Sequence, residues 1–72
     1  MRRLLVQLQE KIEVFFDETN NQPIEWYELV IKMESERFTK EFIEESLNAF
    51  LKLGYLIDHN RKIKLSDEKF HF

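Results

Sequence analysis

Thr39 to Leu65 reads TKEFIEESLNAFLKLGYLIDHNRKIKL, and this stretch decides the fold. Thr39 is a helix N-cap, because its hydroxyl can accept from an otherwise unpaired amide in the first turn. Glu41 places negative charge at the positive end of the helix dipole. Ile43, Leu47, Phe50 and Leu51 then recur at three- and four-residue spacing and make an apolar stripe, widened by Phe42 and Ala49. Lys40, Glu44, Glu45, Asn48 and Lys52 fall on the opposite face. Gly54, the only glycine, suits the left-handed residue that closes a helix.

Beyond it, Tyr55-Leu56-Ile57 and Ile63-Lys64-Leu65 are short β-prone runs separated by polar residues, the pattern of a hairpin. A two-residue turn at His59-Asn60 pairs Asp58 with Arg61 and Leu56 with Ile63. Asn tolerates the positive φ of such a turn, His less readily. In that register Leu56, Ile63 and Leu65 share the face that covers the central helix. Lys62 and Lys64 share the other face with Tyr55 and Ile57.

The two segments upstream pack against this unit. Leu4, Leu5, Leu8, Ile12, Phe15 and Phe16 follow a helical period from Arg3 to about Asp17, with Gln7, Gln9, Glu10, Lys11 and Glu13 outside. The polar run 17–22 ends this helix. Pro23 disfavours a helical Gln22. Two readings of the next residues stand: Pro23-Ile24 opens a second helix, or Ile24 forms a one- or two-residue strand on the hairpin edge. From Glu25 the spacing of Trp26, Leu29, Val30 and Met33 is helical to about Glu34. Ser35 to Phe38 is a turn, with Phe38 placed to staple back on Ile43.

Seventy-two residues make one domain spanning 1–72, and a chain this short buries only about 60% of its unfolded surface. With no cysteine, neither disulfides nor thiolate metal sites reinforce it, so seven phenylalanines, Trp26, Tyr27 and Tyr55 supply the core. No apolar run approaches the ~20 residues of a membrane span, and Gln7, Gln9 and Glu10 interrupt any signal-peptide core. The expected location is intracellular, the cytoplasm of a prokaryote or the nucleus of a eukaryote, with no membrane partner. The single glycine excludes a glycine-rich phosphate loop, and two histidines without close companions make no metal site. No catalytic residue, cofactor or metal is expected; Asp58-His59 reads as turn chemistry.

Helix, short strand, helix, turn, helix and hairpin is the order of the winged helix-turn-helix. Leu47 to Leu65, LNAFLKLGYLIDHNRKIKL, resembles that superfamily's junction between recognition helix and wing, where an apolar helix end leads through Gly-Tyr-Leu to a charged β-turn. The resemblance covers nearly the whole chain and implies a compact α+β fold, three helices with a C-terminal hairpin wing. Such domains read DNA, bind RNA or dock proteins. Glu25-Trp26-Tyr27 through Met33-Glu34-Ser35-Glu36 also resembles the C-terminal winged-helix domain of minichromosome-maintenance (MCM) replicative helicases, where the domain is regulatory and contains no ATPase site.

Two surfaces follow as candidates. In a DNA-reading winged helix the central helix enters the major groove, so Lys40, Asn48 and Lys52 are candidate nucleic-acid residues. Their neighbours Glu41, Glu44 and Glu45 repel phosphate and can only accept from a base, so the alternative is an acidic face in solvent or against a protein. The hairpin tip gathers His59, Asn60, Arg61, Lys62 and Lys64, enough for a few salt-sensitive phosphate contacts that Arg2, Arg3 and Lys11 would extend. Charge also serves to keep a hairpin soluble and its edge unpaired. Tyr27 and Ile31, four residues apart, form with Phe70 and Phe72 a candidate partner patch, unless the tail covers its own helix. The expected function is a non-catalytic binding and regulatory module in DNA replication or transcription. It docks a protein partner, is monomeric alone, and touches DNA weakly through the wing. The alternative is a small dimeric, sequence-specific regulator.

Overall fold

The computed structural model describes residues 3–66, so Arg2, Phe70 and Phe72 lie outside the described residues. Three helices, α1 (Leu4–Glu18), α2 (Trp26–Glu34) and α3 (Lys40–Leu53), combine with three short strands, β1 (Ile24–Glu25), β2 (Leu56–His59) and β3 (Lys62–Leu65). The strands form one antiparallel sheet in the order β1-β3-β2. The result is an α+β domain with a winged-helix-like arrangement.

The ends of α3 form as local chemistry dictates. The Phe42 amide donates to the Thr39 hydroxyl at 3.2 Å, capping the first turn. Phe38 packs back on that turn, its ring stacked on Phe42 with centroids 6.0 Å apart. The expected staple partner was Ile43. At the other end Gly54 takes φ 81°, its N–H donates to Leu51 O at 3.2 Å, and the Tyr55 N–H donates to Phe50 O at 2.9 Å. These two bonds are the Schellman pattern, and the Phe50 and Tyr55 rings, 5.1 Å apart, supply its usual apolar contact.

The buried core draws Leu8, Ile12 and Phe16 from α1, Leu29, Val30 and Met33 from α2, and Ile43, Leu47 and Phe50 from α3. Tyr55, Leu56 and Ile63 close it from the sheet. Four departures from the apolar pattern are instructive. Leu4 and Leu5 are 59% and 43% exposed, because helical period gives a side chain its direction but not a neighbouring layer to receive it. Ala49 is exposed at the margin of the α3 stripe, and Trp26 is only half-buried.

The fourth is Tyr55, expected outward beside the lysines and instead only 5% exposed. It precedes β2 and follows the helix cap, so the strand alternation does not govern it. Its hydroxyl donates to the Glu13 carboxylate on α1. Burial, then the bond to Glu13 and its negative charge, push the Tyr55 pKa well above the ordinary tyrosine value.

The hairpin register also differs from expectation. The turn residues are Asn60 and Arg61, with φ 51° and 68°, and His59 pairs with Lys62, Asp58 with Ile63, and Leu56 with Leu65. A turn at His59-Asn60 would set Leu65 opposite Gly54, whose left-handed backbone cannot extend a strand. Moving the turn one residue shifts each partner by two, so side chains keep their faces and Leu56, Ile63 and Leu65 still face the core side. Of the two readings of Ile24, the strand is realised: Ile24 pairs with Ile63 and Glu25 with Lys62. Beyond β1, the Asn21 carboxamide continues the ladder, donating to Leu65 O and accepting from Leu65 N, both at 3.0 Å.

Candidate binding surface at the wing

Residues Asn60 and Arg61 sit exposed at the hairpin tip, with His59 and Lys62 facing each other on the outer side of the sheet. Lys64 lies further down the same side, opposite Ile57, and is half-buried. Positive φ at both turn residues is the requirement of a type I′ turn, which matches the twist of the strands it joins. An arginine in left-handed backbone costs on the order of 1 kcal/mol relative to its preferred regions.

Pairing of β1 with β3 carries the start of α2 to this tip. Glu25, Trp26 and Tyr27 line one side of an open depression of about 520 Å³, and Asn60, Arg61 and Lys62 line the other. Tyr27, a candidate for protein docking, therefore shares a surface with three candidates for nucleic-acid contact. Tyr27 is 58% exposed, while Trp26 is half-buried and packs against the core. Glu25, which the sequence reading passed over, is directly across the sheet from Lys62. The signal for it was the alternative of a one- or two-residue strand at Ile24, which in its longer form includes Glu25; its partner residue depended on the register. Ile31, also 58% exposed, is one helical turn beyond Tyr27 and does not line the depression.

The α3 candidates stand apart. Lys40, Asn48 and Lys52 are exposed on that helix among Glu41, Glu44 and Glu45, and none lines the depression. Asn48 donates its carboxamide to Glu44 O at 3.0 Å, a bond within its own helix. Lys11, proposed as a supplementary cation, pairs with Glu36 at 3.4 Å.

Among the described residues, no group of three or more His, Asp or Glu side chains gathers to hold a metal, and no helix is long and apolar enough to cross a membrane. No protein-family model matches the chain, and no curated protein or solved structure matches it significantly. Its class is given by its own architecture: a small winged-helix-like domain whose wing tip meets the beginning of its second helix.

Proposed function

We propose that this chain is a non-catalytic binding and regulatory module of DNA transactions, replication or transcription. It docks a protein partner through its helices and contacts nucleic acid at the wing. The observation that supports this most is the difference in charge between α3 and the wing. The exposed side of α3, which a DNA reader inserts in the major groove, carries Glu41 and Glu45, with Glu44 half-buried beside them. The exposed cations Lys40 and Lys52 of α3 stand among those carboxylates, whereas Arg61 and Lys62 are adjacent at the hairpin tip, where a duplex backbone or a single strand can reach them. The likeness of Glu25 to Glu36 to the MCM C-terminal domain makes a replicative helicase the most specific setting for this reading.

Titration with random duplex and single-stranded DNA at low and physiological salt, followed by backbone NMR shifts, tests it. Salt-sensitive shifts confined to the hairpin tip and the start of α2 are expected. Shifts running along Lys40, Asn48 and Lys52 would overturn the assignment of the interface. A second reading, a dimeric sequence-specific regulator, draws on the exposed Leu4 and Leu5 at the start of α1. A monomeric mass at all concentrations in sedimentation equilibrium removes it.

A further inference from the structure

We infer that the depression between α2 and the wing is a site for single-stranded nucleic acid, with one base stacked on Tyr27 and the adjoining phosphates held by Arg61 and Lys62. This rests on the wing being the nucleic-acid contact and specifies what it takes. The depression combines the two elements of sequence-tolerant single-strand binding: an accessible aromatic face for a base and cations for the phosphates on either side of it. Tyr27 supplies the first, on the opening turn of α2, and the turn residues with Lys62 supply the second across the gap. Asn60, at the same rim, offers a carboxamide for sugar or base edges.

The shape and charge favour a strand over a duplex. A duplex keeps its bases stacked inside and presents only phosphates and groove edges, so it cannot use Tyr27. Glu25 also lines the depression, across the strands from Lys62, and draws on that lysine's charge. Arg61, at the tip, is therefore the principal phosphate partner, and its guanidinium suits a bidentate hold on phosphate. Two cations are too few to bind a uniform rod of charge tightly, and affinity then depends on the stacked base. An exposed tyrosine beside arginine also suits a protein interface. Ile31, the neighbouring exposed side chain that a protein would cover, lies outside the depression.

The test uses the full chain and a fluorescent thymidine strand of about 12 nucleotides, within the usual site size. A duplex of the same length is the comparison. Anisotropy gives affinity, and Trp26, at the edge of the site, reports stacking by its fluorescence. The strand should bind more tightly than the duplex, with log Kd rising by about 1.4 per tenfold increase in salt, as two phosphate contacts imply. Tyr27→Ala should weaken binding about tenfold, the loss of one stacked base, and Tyr27→Phe should retain it. Circular dichroism of both variants checks that the fold persists, which the exposure of Tyr27 favours. Equal or tighter binding of the duplex, or an unaffected Tyr27→Ala, overturns the single-strand site and leaves the wing reading intact. Failure of both nucleic acids to bind at low salt overturns this inference and the wing reading together.

Discussion

Gly54 and Arg61 both hold left-handed backbone, with φ 81° and 68°, yet the two bends have opposite surroundings. At Gly54 the residue type suits the geometry, and everything nearby depends on it: two nested hydrogen bonds, the contact of the tilted Phe50 and Tyr55 rings, and the Tyr55 bond to Glu13. At Arg61 the residue type resists the geometry, no core packs on it, and its exposed side chain lines the depression across from Tyr27. A glycine there would complete the Asn-Gly pair that type I′ turns prefer. The first bend is architecture. The second leaves exposed a side chain that the core does not use, as the left-handed Arg37 (φ 76°) also does.

Substitutions at the two bends should therefore separate stability from binding. The largest effect is expected from Phe50→Ala, which removes one of the two buried rings of the helix-end cluster. Urea unfolding should show a loss of about 3–5 kcal/mol, with marginal folding in a domain this small. Gly54→Ala keeps the ring cluster but strains the cap, and the same measurement should show about 1–2 kcal/mol. An unchanged midpoint there would mean that the left-handed cap is dispensable.

Tyr55→Phe is the milder probe, removing only the hydroxyl donated to Glu13, for about 1 kcal/mol at neutral pH. It also carries a pH signature. The folded state raises the Tyr55 pKa, so it holds the phenolic proton more firmly than the unfolded chain does. This contribution is fully present below the unfolded pKa of about 10 and declines as pH rises above it. The wild type should lose stability above pH ~10 more steeply than Tyr55→Phe; parallel profiles would show that the hydroxyl is not held in this way.

Features set by one decisive residue were legible in the sequence. Thr39 opens α3 and Gly54 closes it because a cap hydroxyl and a left-handed glycine each act locally. The faces of Leu56, Ile63 and Leu65 were legible too, since alternation survives a two-residue shift of partner. What the sequence did not reveal came from relations between distant segments. Asn60 fits either position of a two-residue turn, and the choice between His59 and Arg61 as its companion was made by Gly54, which cannot ladder with Leu65. Tyr55 looked like a strand residue until the cap turned it inward onto Phe50. The exposure of Leu4 and Leu5 depends on where neighbouring elements stop. The meeting of Tyr27 with Arg61 needed both the short strand at Ile24 and the corrected register, so the two halves of the candidate site read as separate surfaces.

Arg61→Gly tests the contrast between the bends most directly, with urea stability and thymidine-strand affinity measured on the same protein. Removing an unfavourable left-handed arginine should raise stability by about 0.5 kcal/mol, after allowing for the greater freedom of glycine in the unfolded chain. Affinity should fall severalfold as the main phosphate contact is lost. A less stable protein, or one that binds the strand as well as before, would contradict the assignment of Arg61 to contact rather than to the fold.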